Sequence, residues 1–400
     1  MLRRVLLIAL LCATSLGAPA QEISHSIIGG DTLTYSYTPI DQVLSESKAR
    51  RGLGRYLSSL TEPIPNGTLR APRLLFIAGP GYSTTTNLRL TALGRLYYPI
   101  RRCGELAPPS VLTLWASASI NGYYNITLDG TNTFAHSRHK LSYAAHIGSM
   151  PTYIWGLDYE ASLHNPRGKY RNRSLGIEGS YRYMVTKGLM VGGDVSFTMY
   201  NATKLDANAS ALLRNEPQRL RTVGIGIAAE YDSRNDITSP TRGLRATASF
   251  MYHPRLFNNL NRELWSLVAT LSLYGELWRG GVVGLDIAGE IHPSSTPWMM
   301  RSKIGDDNRM RGYYPGRFNG ESMATAQVEL RQHLWEGLSV AVWGGAGTLF
   351  TRNEPWAWHQ VLPNYGLGVR WAIGGGTTLR LDAGFGRESF GIIMALSESF

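Results

Sequence analysis

From Arg73 to the end of the chain, apolar and polar residues alternate in stretches of about ten to fifteen residues separated by turn residues, which predicts β-strands rather than helices. Thr377 to Arg387 shows the pattern. Leu379, Leu381, Ala383 and Phe385 share one face, and Arg380, Asp382, Gly384 and Gly386 share the other. A soluble sandwich alternates in the same way, but its strands average about five or six residues. Roughly twice that length suits a tilted strand crossing a bilayer.

The segments are 73–82, 87–98, 111–128, 138–148, 152–163, 171–185, 188–200, 220–232, 241–253, 263–278, 280–292, 323–336, 338–350, 364–374, 377–387 and 390–400. An even number suits a closed bacterial barrel, as do short turns such as Lys187-Gly188 and Gly375-Gly376 alternating with long loops at 201–219 and 293–322. The expected fold is therefore all-β, a sixteen-stranded antiparallel transmembrane β-barrel over residues 71–400. Lipid offers backbone groups no hydrogen-bond partner, so the last strand is expected to pair with the first. On that last strand Phe390, Ile392, Met394, Leu396, Glu398 and Phe400 are read as lipid-facing, with Glu398 near an interface. Gly391, Ala395, Ser397 and Ser399 are read as lumen-facing, and Phe400 as a C-terminal strand signal.

The N-terminal part differs. Arg3 and Arg4 precede an apolar run from Val5 to Leu16, and Ala18-Pro19-Ala20 supplies a cleavage pattern, so residues 1–20 read as a secretory signal peptide. Residues 21–70 read as a periplasmic leader, either with one short helix near 41–60 or as a poorly ordered terminus. Removing the signal leaves Cys103 as the only cysteine, which excludes an intramolecular disulfide. No later segment approaches 18 consecutive apolar residues, which excludes a helical membrane protein.

Composition sharpens this picture. The chain of 400 residues holds 44 Gly, 10% aromatic and only 17% charged residues, unlike a soluble multidomain enzyme. The formal charge of +11 falls to +9 without Arg3 and Arg4. Export argues against nucleic acid as the target of that surplus and leaves an anionic lipid surface or a basic lumen. Enzymatic patterns are poor: Gly224 to Ala229 spells a dinucleotide-like fingerprint but lies within a strand, and neither HExxH nor G-x-S-x-G occurs. No enzyme activity, metal or cofactor is expected.

Four ordered motifs carry more. Ile77-Ala78-Gly79-Pro80-Gly81-Tyr82-Ser83 opens the repetitive region. Tyr231-Asp232-Ser233-Arg234-Asn235-Asp236 is followed by Ser239-Pro240-Thr241-Arg242-Gly243. Met310-Arg311-Gly312-Tyr313 lies in the longest loop, and Glu329-Leu330-Arg331 in the strand after it. Together these resemble the BamA/TamA superfamily of outer-membrane assembly and secretion proteins, the bacterial surface antigen family, over roughly residues 70 to 400. The resemblance implies a loop folded into the lumen with Arg311 meeting acidic or aromatic groups, for which Glu329 is the candidate partner. Family members place a second acidic residue in a D-A-G segment on the next strand; here the chain reads Gly344-Gly345-Ala346-Gly347. About fifty residues between signal and first strand are too few for a POTRA module, so a barrel-only member is expected.

Asp232, Arg234 and Asp236 are expected to form a rim salt-bridge cluster, with Gly243 serving the turn into the next strand. The function implied by the resemblance is assistance to insertion or passage of proteins or lipids at the bacterial outer membrane. The partners implied are outer-membrane lipids including lipopolysaccharide, and other envelope proteins or unfolded barrel clients. The alternatives are a pore for small solutes, anion-favouring if its lining is basic, or a scaffold for envelope proteins.

Overall fold

The computed structural model describes residues 22–28, 31–37, 72–83, 87–100, 110–134, 138–236, 239–335, 337–352, 355–374, 377–395 and 398–400. The expected signal peptide, the helix expected near 41–60, Cys103, Leu396 and Ser397 lie outside them. Within the expected leader, β1 (Glu22–Ile28) pairs antiparallel with β2 (Asp31–Tyr37).

Sixteen strands build the wall. In chain order they are β3 (Arg73–Ser83), β4 (Asn87–Tyr98), β5 (Ser110–Ser119), β6 (Tyr124–Phe134), β7 (His139–Ile154), β8 (Gly168–Thr186), β9 (Leu189–Thr203), β10 (Arg219–Asp232), β11 (Gly243–His253), β12 (Leu264–Trp278) and β13 (Gly281–Ile291). After a small hairpin of β14 (Ser302–Ile304) and β15 (Phe318–Gly320) come β16 (Ser322–Trp335), β17 (Leu338–Phe350), β18 (Leu362–Gly374), β19 (Thr377–Gly386) and β20 (Ser389–Ala395). Each wall strand lies antiparallel beside its chain neighbours, and the order runs round to bring β20 beside β3.

The expectation of a barrel zipped all round needs correction at that junction. Every other neighbouring pair of wall strands shares a ladder of at least seven opposed positions, whereas among the described residues β20 meets β3 at one, Ile393 opposite Ser83. Among the described residues, the sheet is a sixteen-stranded ring whose seam is paired far more sparsely than any other junction. The cause lies in the chain end. Phe390, Ile392 and Met394 point outward as expected, but β20 stops at Ala395, and Glu398, Ser399 and Phe400 lie inside the ring. Glu398 is therefore in the lumen and not at an interface, and Phe400 is not part of a paired strand.

Two boundary errors in the sequence reading offset each other. The expected strand 111–128 is two strands, separated by a turn in which Gly122 has φ 82°. Conversely, 138–148 and only the first three residues of 152–163 belong to one strand, β7, which carries Pro151 opposite Arg171; residues beyond it form α1 (Tyr159–His164), capped by Asp158 accepting from the Ala161 N–H at 2.8 Å. A second short helix, α2 (Ala207–Leu212), is capped in the same way by Asp206.

Alternation divides the two faces of the wall. Leu90, Ile177, Ile225, Ile227 and Leu367 are exposed on the outside, a belt that is stable only against an apolar surrounding. Inside, the long connection between β13 and β16 enters the ring. Its Trp298 joins Tyr170, Leu213 and Leu220 in an apolar cluster and donates its indole N–H to the Pro217 carbonyl at 2.8 Å, tying this loop to the β9–β10 loop at one rim.

Candidate functional site

The inward loop meets the wall over Arg311-Gly312-Tyr313, and glycines make the approach possible. Gly312 has φ 105°, open to glycine at little cost, and a Cβ there would sit 2.5 Å from the backbone of Gly384. Reciprocally, a Cβ on Gly384 would sit 2.4 Å from the Arg311 carbonyl oxygen. A Cβ on Gly386 would strike the Tyr313 ring at 2.3 Å. Alternation had placed Gly384 and Gly386 together on one face of their strand; in the structure they form the track on which the loop lies.

Hydrogen bonds fasten the loop along this track. Asn364 Nδ2 donates to the Arg311 carbonyl, Ser389 Oγ donates to the Gly312 carbonyl at 2.6 Å, and the Tyr313 hydroxyl donates to the Pro363 carbonyl at 2.7 Å. The Tyr313 hydroxyl also accepts the Arg387 N–H at 2.6 Å, and burial raises its pKa. Ile304, Met310, Phe318, Leu349 and Leu362 fill the space behind.

The Arg311 guanidinium is wholly buried and forked. Its Nη2 donates to Glu329 Oε2 at 2.6 Å and its Nη1 to Asp382 Oδ2 at 2.7 Å, while its central carbon lies 3.6 Å from the centre of the Trp343 ring. A fork that reaches two carboxylates from over an aromatic ring suits arginine and not lysine. Arg311 and its candidate partner Glu329 thus lie 2.6 Å apart. The second acidic partner, read as missing, is Asp382, supplied by β19 rather than by the strand after Glu329. Its signal was present in the sequence, because Asp382 falls on the lumen-facing alternation of 377–387.

Sequence reasoning did not anticipate the rest of the network. Arg370 donates to Asp382 through Nη1, to Glu329 at 3.3 Å and to Glu398 at 3.2 Å. Arg331 Nε lies 3.1 Å from Glu329, and Arg380 Nη1 lies 3.4 Å from Asp382. Arg380 also donates to the Asp307 carbonyl at 2.8 Å, and Ser399 Oγ donates to both Glu329 oxygens at 3.2 and 3.1 Å. Phe400 lies 6.3 Å from the Tyr274 ring and 5.9 Å from the Arg331 guanidinium. Four arginines therefore face three carboxylates, and the chain end supplies one of the three. Nearby, Arg309 forms a forked pair with Asp286 at 2.5 and 3.1 Å. Enclosure by the ring raises the Asp307 carboxyl pKa, opposed by Arg380.

At the opposite rim Asp232 accepts Arg234 Nε at 3.0 Å and Nη2 at 2.7 Å, which favours the charged guanidinium. Asp236 accepts the Ser239 N–H at 2.9 Å. Gly243 has φ 101°, and a Cβ there would sit 2.4 Å from the Ser233 carbonyl oxygen. These residues brace a turn and lie outside the Arg311 network. Among the described residues, no three His, Cys, Asp or Glu side chains are grouped to hold a metal ion.

A ring of sixteen antiparallel strands with its longest loop folded inside and anchored by a buried arginine defines a class of loop-filled outer-membrane sheet proteins. The Omp85 superfamily domain matches residues 115–392, and the chain belongs to that superfamily. Its fold is similar to that of BamA from Haemophilus ducreyi lacking POTRA domains 1–3, with a TM-score of 0.58 and 13% identity over 98% of this chain and 78% of that one. It is also similar to CdiB from Acinetobacter baumannii, with a TM-score of 0.54 and 12% identity over 94% of this chain. CdiB from Escherichia coli gives 0.56 and 11% over 95%. The chain spans 65% of each CdiB. No curated protein matches.

Proposed function

We infer that this protein resides in the bacterial outer membrane and assists insertion or passage of proteins or lipids there, acting at its seam. The observation that carries this reading is the single opposed position between β20 and β3 among the described residues. An unpaired strand edge in hydrocarbon leaves backbone N–H and C=O groups unsatisfied at several kcal/mol each, so it thins the surrounding lipid or accepts an incoming strand. The interior network supports the same reading, because Glu398 and Phe400 are held inside and cannot extend β20 along β3. Unfolded strands of barrel clients are the partners this chemistry fits.

The test uses Ser83→Cys with Ile393→Cys in a Cys103→Ser background. Directly opposed antiparallel residues have Cα atoms about 4.5–5.5 Å apart, within disulfide reach. Oxidation is expected to slow insertion of an unfolded barrel client into reconstituted vesicles at least ten-fold, and reduction to restore it. Equal rates in both states would overturn the reading.

One observation favours a second reading, a pore. Asp129 and Glu178 face inward in the same row, joined through Ala144, and both are exposed to lumen space. Conductance through that side would favour cations rather than the anions expected of a basic lining. Planar bilayers showing no steady conductance would remove this reading.

A further inference from the structure

The outer surface of β8–β10 changes character near the loop rim. On that face the register lines up Ile177, Phe197 and Val223 in one row, Leu175, Met199 and Arg221 in the next, and Arg173, Asn201 and Arg219 in the row beyond. Two residues along a strand span about 6.7 Å and neighbouring strands lie about 4.8 Å apart, so Arg173 and Arg219 stand roughly 10 Å apart with Arg221 one row below. All three side chains are exposed, and among the described residues none has a carboxylate partner.

Depth gives this cluster meaning. Tyr231, exposed on the same face of β10, lies ten residues from Arg221 toward the other rim. That is about 34 Å along the strand and, at a tilt of roughly 40–45°, about 25 Å along the ring axis, the height of the apolar band of an outer-membrane barrel. Arg221 therefore marks the band's upper edge, and Arg219 and Arg173 lie just above it. Charged side chains at that depth are placed for headgroups.

The loop between β11 and β12 fixes the backbone of this patch. Asn259 donates its N–H to the Arg221 carbonyl at 3.1 Å, accepts the Arg221 N–H at 2.6 Å through Oδ1, and donates to the Arg219 carbonyl at 3.2 Å. The same loop exposes Leu256 at 89% and Phe257 at 61%, apolar surface on the segment that clamps the arginines. The nearby carboxylate Asp206 is occupied at the start of α2, where it accepts the Ala209 and Lys169 N–H groups at 2.8 Å.

We propose that Arg173, Arg219 and Arg221 form a binding site for a phosphorylated glycolipid of the outer leaflet, the guanidiniums taking the phosphate groups and Leu256 and Phe257 meeting acyl chains. The proposal rests on the outer-membrane placement inferred above but not on seam activity. Guanidinium forks match phosphate oxygens, and spacing across two strands suits a headgroup larger than a single phosphate.

The full chain in detergent is titrated with micelles of a bis-phosphorylated glucosamine lipid. The triple variant Arg173→Gln, Arg219→Gln, Arg221→Gln is expected to bind at least ten-fold more weakly, and Arg219→Gln alone about three-fold. Lys187→Gln with Arg279→Gln, at the other rim, should leave binding unchanged. Unchanged heat-modifiable migration on gels verifies folding of each variant. Equal binding by the triple variant, or equal binding of the dephosphorylated lipid, overturns the site. Equal binding of phosphatidylglycerol, or displacement by inorganic phosphate, overturns the glycolipid assignment in favour of general anion attraction. Client insertion measured on the same variants keeps the two readings apart: loss of lipid binding with intact insertion speaks only of this site.

Discussion

The two halves of the lumen wall have the same backbone and opposite interiors. From β12 to β20 the inward residues Asp286, Glu329, Arg370, Arg380 and Asp382 are almost wholly buried beneath the Arg311 loop and the chain end. From β6 to β10 the inward Asp129 and Glu178 are exposed, and Arg182 pairs with Asp194 within the wall at 2.8 Å without help from a loop. Charge placement accounts for the difference. The filled side carries more guanidinium than carboxylate, so it gains from the chain end bringing Glu398; the other side pairs Arg182 with Asp194 strand to strand and leaves Asp129 and Glu178 exposed.

The contrast predicts unequal responses to the same substitution. Glu329→Gln removes the charge facing Arg311, Arg331 and Arg370 together, and loss of one member of a buried ionic network costs about 3–5 kcal/mol. Glu178→Gln on the open side should fall within about 0.5 kcal/mol of the parent. Urea unfolding in detergent micelles compares the two, and equal losses would erase the distinction between the halves.

Backbone contact gives the next effect. Gly384→Ala should displace the Arg311 carbonyl, costing about 1–3 kcal/mol as overpacking does. It should also open the loop near residues 306–317 to protease. Gly94→Ala, with no atom within 4 Å of the added Cβ, should do neither. Phe400→Ala removes the ring beside Tyr274 and Arg331 and should loosen the chain end by about 1 kcal/mol, read as faster proteolysis from the C-terminus.

The smallest effect concerns pH. The Asp307 carboxyl has a raised pKa in the folded ring, so its ionised form disfavours folding; contact with lumen water softens this cost. Its contribution is fully present below the unfolded carboxylate pKa and is lost as pH rises through the folded value. Asp307→Asn should therefore be slightly more stable than the parent at neutral pH, with the gain vanishing as acid protonates Asp307 in both states. A gain that grows on acidification would reverse the sign.

Much of this was legible in the chain. Alternation located the strands because each has one face against an apolar surrounding and one against a polar interior. The Asn121-Gly122 turn was in the sequence, but the aromatic and β-branched residues around it masked it. Residues 149–151, Pro151 among them, fell between two expected strands, yet β7 continues through them. Arg311 and Glu329 could be paired because the family resemblance implies an arginine inside the lumen, where an unaccompanied guanidinium is costly, and Asp382 was visible as an inward charge without a named partner. The path of the chain end was not legible. Alternation runs from Phe390 to Phe400 with only Ile393 and Glu398 out of step, and only the three-dimensional cluster of Arg331 and Arg370 shows why Glu398 leaves the sheet.

Hydrogen exchange along β3 and β20 examines the seam most directly, with β8 and β9 as the reference. Amides of β3 that face β20 are expected to exchange orders of magnitude faster than those in the β8–β9 ladder, under conditions where the whole fold is intact. Protection of β3 equal to that of β8 would mean a seam zipped like every other junction, and would contradict both the weak closure and the function inferred from it.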